Sequence, residues 1–210
     1  MSYPVTVTVQ PALTNRDRVT TLFRFLLAIP HLLLVGGATF GVTFGSRGGG
    51  APSFGAEGGL LGAVAYFLAI INWFMIVLTG TDVLGIRQFS TFFLRWRVRA
   101  IAYLMLLEDA YPPFGDEPYP ASVEVIDRAG PRDRVSVAFR LILAIPHFIV
   151  LAFVMLAWCI TTIVAWFLIL FTGEYPAGLY EFGVGSLRWL IRLQAYLLLL
   201  VDDYPPFSLE

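Results

Sequence analysis

The sequence contains no lysine: all 14 of its basic positions are arginine, set against 15 acids. Charge is scarce, at 14% of residues, while 58% are hydrophobic and the mean hydropathy is +0.75. Too few polar groups remain to cover an ordinary soluble domain, so the missing surface implies lipid. Because the arginines are matched by acids and scattered among apolar residues, no nucleic-acid surface follows. A single cysteine, Cys159, sits in an apolar run and leaves neither a disulfide framework nor a cysteine-based metal motif. There is no Gly-x-Ser-x-Gly elbow, no His-Glu-x-x-His and no suggested Cys–His pairing, so no nucleophilic or zinc-hydrolase chemistry is indicated. Met1 to Gln10 lacks the basic-then-apolar order of a signal peptide, so the first hydrophobic segment is expected to stay.

What is present is a repeat. Tyr3-Pro4, Arg16-Asp17-Arg18-Val19, Phe23-Arg24 and Ile29-Pro30-His31 recur 116 residues later as Tyr119-Pro120, Arg132-Asp133-Arg134-Val135, Phe139-Arg140 and Ile145-Pro146-His147. Further on, Trp73, Thr79-Gly80, Leu94-Arg95-Trp96, Tyr103 and Asp109 through Phe114 recur 93 residues later as Trp166, Thr172-Gly173, Leu187-Arg188-Trp189, Tyr196 and Asp202 through Phe207. The difference, 116 − 93 = 23 residues, is an insertion in the first copy, visible as the Gly- and Ser-rich stretch at about 36–59. Repeat 1 is therefore 1–117 and repeat 2 is 118–210.

Val135 to Phe171 is one nearly unbroken apolar run. A single membrane helix would not be expected to carry an inserted loop at its middle, whereas a hairpin tip accepts one on the surface. This predicts two short spans per copy, roughly Val19–Val35 with Leu60–Leu78 and Val135–Leu151 with Met155–Phe171. Alternating Val5–Val9 and Ser122–Ile126 predict strands that pair at the membrane surface. A third helix follows each hairpin, Gln88–Leu107 and Phe182–Val201, closed by Tyr-Pro-Pro-Phe. The expected fold is thus a mainly α-helical integral membrane protein of two tandem parallel pseudo-repeats, each with a short strand, a transmembrane hairpin and an amphipathic interfacial helix. With hairpins, every arginine but Arg47 falls on one side, which predicts a multi-pass protein of the bacterial inner (plasma) membrane with cytoplasmic termini.

The third helices carry the candidate site. Arg95 and Arg99, like Arg188 and Arg192, stand four apart and share a helical face, with Tyr103 and Tyr196 nearby. Such arginines can hold lipid phosphate bidentately, or simply snorkel and pair with Glu108, Asp109, Asp202 and Asp203. His31 and His147 occupy equivalent positions and, if they faced each other, could ligate a haem or metal; without acidic or cysteine companions, no cofactor is expected. The Thr172–Leu179 loop, rich in turn residues, lacks its Tyr-Pro in the first copy, so any special role belongs to the second. The glycine-rich insertion has no Gly-Lys-Ser/Thr ending and is no phosphate loop.

Tyr-Pro with alternating Val and Thr, the Ile-Pro-His span start, Phe171-Thr172-Gly173-Glu174-Tyr175-Pro176-Ala177-Gly178-Leu179, the Arg-Trp pair and Asp202-Asp203-Tyr204-Pro205-Pro206-Phe207 together resemble a family of uncharacterised bacterial membrane proteins. That family is known only as a domain of unknown function and is common in actinobacteria. The resemblance covers essentially the whole chain, with Tyr119 to Leu209 the closer copy, and implies membrane location and repeat structure but no catalytic residue. The leading expectation is a non-enzymatic module binding lipid headgroups, a partner membrane protein or another copy of itself through its cytoplasmic arginines. A small transporter or channel at the repeat interface is the alternative, and a His-ligated haem or metal protein a second one.

Overall fold

The computed structural model describes residues 3–38, 59–126, 130 and 132–210. In chain order these form β1 (Val5–Val9), α1 (Arg18–Val35), α2 (Gly59–Thr79), α3 (Leu84–Leu104), β2 (Ala121–Val125), α4 (Arg134–Ala138), α5 (Arg140–Thr172) and α6 (Ala177–Leu197). Most of the insertion, with Arg47, and also Arg128 lie outside the described residues. The Arg-Asp-Arg-Val motif starts each long helix. Asp17 accepts from Val19 N at 2.9 Å and Thr20 N at 3.2 Å, and Asp133 accepts from Val135 N and Ser136 N, satisfying otherwise unpartnered first-turn donors. Each Thr-Gly turn ends the outgoing helix with a left-handed glycine, Gly80 at φ 80° and Gly173 at φ 78°.

The predicted hairpins do not exist. In the second copy α5 is one continuous helix of 33 residues, about 50 Å long at ~1.5 Å per residue. In the first copy α1 and α2 are its two halves set end to end, as their shared neighbour α3 reveals. At the start of α3, Val83 N donates to Asn72 Oδ1 of α2 at 2.9 Å; midway, Trp96 meets His31 and Arg97 reaches the Val35 carbonyl; at its end, the Tyr103 carbonyl accepts from Arg24 of α1. Folded back at residue 36, Asn72 and Arg24 would lie side by side. Instead they touch opposite ends of a helix of 21 residues, about 30 Å apart. The insertion is tolerated because the helix only pauses while α3 runs on beneath it. Gly36 (φ 71°) and Gly59 (φ 65°) take the left-handed conformations needed there, and a Cβ on Gly59 would stand 2.6 Å from the Leu34 backbone.

The joined α1–α2 runs antiparallel to α5. The start of α1 meets the end of α5 through Arg16 N to Gly173 O at 3.0 Å, and Arg132 N meets Gly80 O at 3.3 Å at the other end. Trp166 Nε1 donates to Thr21 O, and Trp73 Nε1 to Val137 O, beside the same two junctions. Arg16, Arg18 and Arg24 therefore sit at one end of this layer and Arg132, Arg134 and Arg140 at the other, which overturns the expectation that nearly all arginines share one side of a spanning bundle.

The expectation that the third helices lie flat at an interface is overturned as well. Helices α3 and α6 pack on each other, between the long-helix layer and the sheet, and are buried on nearly every face. Phe93, Leu94, Ile101, Leu187, Leu190 and Ile191 are wholly enclosed. The strands do pair, antiparallel, with Val7 opposite Val123 and Val5 opposite Val125; Val5, Val7 and Val123 point inward while Thr6, Thr8 and Glu124 point out. Because Val7 pairs with its own counterpart 116 residues on, a pseudo-twofold axis passes through that pair, perpendicular to the sheet. Helices α1, α2 and α5 are long and apolar enough to cross a membrane, by length and composition.

Deleting residues 36–58, which joins Val35 to Gly59 as Leu151 is joined to Ala152, should leave a folded protein with α1 and α2 fused. It should gain stability, because closing a loop of that length costs roughly 3 kcal/mol of chain entropy. Thermal melting followed by circular dichroism in detergent checks this; collapse of the helical signal would restore the hairpin.

Candidate functional site

Two buried clusters tie the ends of α3 and α6 to the starts of the long helices. Asp109 accepts from Arg16 at 2.7 Å and Arg24 at 2.5 Å; Asp202 accepts from Arg132 at 2.8 Å and Arg140 at 2.9 Å. The same guanidiniums donate to carbonyls where α3 and α6 end, two of which, Tyr103 O and Tyr196 O, also accept from the backbone. Arg16 reaches Leu106 O and Arg24 reaches Tyr103 O, while Arg132 reaches Leu199 O and Arg140 reaches Tyr196 O. Positive charge at helix C-termini is favourable, and charge-assisted bonds hold Leu106 (φ 65°) and Leu199 (φ 62°) in left-handed conformations unusual for leucine. Burial alone would raise the Asp109 pKa, but the hydrogen bond from Arg16 and the charges of Arg16 and Arg24 hold it below the usual carboxylate range. Beside it, burial lifts Glu108 to about 7 despite the same two arginines, at the position where the second copy has Val201.

Tyr103 and Tyr196, expected beside the third-helix arginines, lie instead under these clusters, with Arg24 4.6 Å and Arg140 4.3 Å from their ring centres. His31 and His147 are not brought together. Each Nδ1 accepts from its own tryptophan, Trp96 or Trp189, at 3.0 Å, and each ring stacks on the phenylalanine of its own Tyr-Pro-Pro-Phe, Phe114 at 4.5 Å or Phe207 at 3.9 Å. Among the described residues no group of three metal-ligating side chains forms. In the second copy the Thr172–Leu179 loop and the first turn of α6 dock the N-terminal segment, through Tyr175 N to Leu13 O and Tyr180 OH to Gln10 O; Asp82 and Arg87 form an ion pair at the positions corresponding to those tyrosines.

The four candidate arginines divide into unlike pairs. Arg95 and Arg99 share one carboxylate, Asp116, at 3.0 and 2.9 Å, and Arg99 also donates to Gly115 O. Arg188 donates to Val7 O at 3.3 Å and Arg192 lies over the Tyr3 ring at 5.8 Å, and neither has an ion pair among the described residues. None pairs with Glu108, Asp109, Asp202 or Asp203, the acids suggested by proximity in sequence. Two apolar pockets open at equivalent places between the long helices. One, of about 220 Å³, lies between Phe25 and Trp166; the other, of about 430 Å³, lies between Trp73 and Leu141.

The chain belongs to the family described as "Domain of unknown function (DUF4389)", which matches it twice, over residues 54–115 and 134–208. No curated protein and no solved structure matches it. The second matched segment holds both His147 with Trp189 and Arg140 with Asp202, whereas in the first copy the corresponding His31 and Arg24 precede the matched segment and reach Trp96 and Asp109 through the fold.

Asp202→Asn should destabilise the protein by about 3–5 kcal/mol, since it strands two buried guanidiniums. The more exposed Asp109 should cost less when changed to Asn, and denaturant unfolding compares them. Glu108 has the opposite sign. Because folding raises its pKa from 4.5 to about 7, the folded chain holds a proton there that the unfolded chain has released. The stability it contributes is complete below that window and lost as pH rises through it. Glu108→Gln should therefore melt like the parent near pH 4.5 and above it at pH 8; equal melting at pH 8 would contradict this.

Proposed function

We propose that the chain is a non-enzymatic membrane module whose long-helix layer lies in the plane of one leaflet, with the sheet and its arginine-bearing side in water. The observation that carries this reading is sidedness. Among the described residues, apart from Leu84, Tyr111, Phe114, Ile126, Tyr204 and Phe207, every exposed large hydrophobic residue belongs to α1, α2, α4 or α5 or is Phe139 at the α4–α5 junction. On α5 the exposed face stays apolar from Leu141 to Phe171, about 45 Å, longer than the roughly 30 Å of hydrocarbon that an upright helix would cross. A contiguous face of this size marks a membrane or protein contact, and the absence of charge along it favours acyl chains.

A spanning orientation fits poorly. The pseudo-twofold axis would lie at mid-bilayer, placing Thr6, Thr8, Glu124 and two open strand edges in hydrocarbon, where unpaired backbone is not tolerated. The insertion, which contains Arg47 and Glu57, would also leave the helix at the bilayer centre, where each charge costs at least about 2.5 kcal/mol. In the in-plane orientation the axis lies along the membrane normal, and polar groups need not enter the core. The cytoplasmic leaflet of the bacterial plasma membrane, with its anionic lipids, suits a protein rich in arginine near its water-facing side. Both chain ends then face the cytoplasm. Lipids are the constant partners, and a second protein or another copy can dock from the water side. A transport path is less well supported, because the pockets between the long helices are apolar.

Spin labels at Leu143→Cys, Phe153→Cys, Ile160→Cys and Phe171→Cys, each with Cys159→Ser, test the orientation by oxygen accessibility in bilayers. Similar depths along α5 are expected. A profile deepest near residue 156 and shallow at both ends would establish spanning and overturn the proposal.

A further inference from the structure

The two copies hold the same arginine pair in different states of completion. In the first copy a single carboxylate bridges it, Asp116 Oδ2 accepting from Arg95 and Oδ1 from Arg99. The second copy keeps both arginines, one helical turn apart, but the residue 93 positions after Asp116 is Leu209. The second copy thus has the two guanidiniums without the bridging carboxylate. Two like charges held close without a counterion repel, and burial together with Arg188 lowers the Arg192 pKa.

The surroundings are built as a groove rather than a flat surface. A pocket of about 470 Å³ lies between strand β1 and the 206–210 segment, with Arg188 and Arg192 at its wall and Tyr3, Thr6, Thr8 and Ser208 around it. Arg188 is steadied by Val7 O and Arg192 by the Tyr3 ring, whose hydroxyl is itself fixed to Asp203 O at 3.2 Å. The Arg192 Nε is buried without a hydrogen-bond partner. Glu210 also lines the groove, but forms no ion pair with either arginine among the described residues.

We infer that Arg188 and Arg192 form a binding site for an oxyanion, a phosphate or carboxylate group with two oxygens spaced to meet both guanidiniums as Asp116 meets the first pair. The Asp116 bridge is the internal precedent for the geometry, since planar guanidiniums match such two-oxygen anions. The groove is lined by strand β1, so a free anion from water reaches it as readily as a headgroup. The inference goes beyond the membrane reading and does not require the in-plane orientation.

Calorimetric titration of the full chain in detergent with inorganic phosphate, at low salt, tests the site. One phosphate per chain is expected, with affinity falling at least tenfold in both Arg188→Gln and Arg192→Gln while their circular dichroism stays that of the parent. Asp116→Leu, which copies the second repeat into the first, should add a second phosphate per chain and so separates binding from any loss of fold. In nanodiscs, full phosphate uptake in the presence of phosphatidylglycerol assigns the site to free anions, whereas uptake seen with phosphatidylcholine but blocked by phosphatidylglycerol assigns it to a lipid headgroup. No phosphate binding by the parent in either medium, or binding unchanged by the two Gln variants, would overturn the site.

Discussion

The arrangement depends on two aspartates, each shared by two buried arginines. Asp109 and Asp202 sit where α3 and α6 run out of helix, and the arginines they hold come from the start of the long helices, 85 or more residues away in the first copy. Without those guanidiniums, the Leu106 and Leu199 carbonyls just past the two helices would lose their side-chain donors. Without the aspartates, the guanidiniums would themselves be uncompensated. Each cluster thus fixes which end of a long helix lies against which end of a central one. With both clusters in place, α3 runs along α1–α2 from Arg24 to Asn72, and α6 back along α5.

From that constraint the layering follows. The central helices, enclosed along most of their length, separate a two-stranded sheet with a polar outer face from a layer of long helices whose outer side chains are apolar. Complementary sizes keep the copies alike despite sequence drift. Where the second copy places Trp158 against Gly183, whose added Cβ would come 2.9 Å from the indole nitrogen, the first has the pair Ala65 and Ser90. The copies differ most at three places: the insertion between α1 and α2, the Tyr175 and Tyr180 contacts with the N-terminal segment, and the residue beside the third-helix arginines, Asp116 in the first copy and Leu209 in the second.

Much of the local structure was legible in the residues. Alternating Val and Thr marked β1, Arg-Asp-Arg-Val marked the helix starts, and the double offset of 116 and 93 exposed the repeat and its insertion. The direction of the chain after Val35 was not legible, because an unbroken apolar run reads the same for a reversal and for a continuation. Assuming that a helix cannot carry an insertion ignored its neighbour: α3 holds both halves in line. The burial of α3 and α6 was hidden for a related reason. Arginines on a helix suggest a wet surface, but Arg97 and Arg99 are enclosed by carbonyls and Asp116. The Arg16, Arg24 and Asp109 set recurred intact as Arg132, Arg140 and Asp202, a signal that was present; pairing its members across such separations required the fold.

The end-to-end placement of α1 and α2 is the claim on which the antiparallel layer and its in-plane orientation both stand. A pulsed electron-spin distance between labels at Leu22→Cys and Leu78→Cys, in a Cys159→Ser background, tests it directly, both sites being exposed. Coaxial helices place the labels about 50 Å apart. A distance on the order of 10–20 Å, as a hairpin with neighbouring ends would give at helix spacings of 8–10 Å plus label reach, would contradict the account.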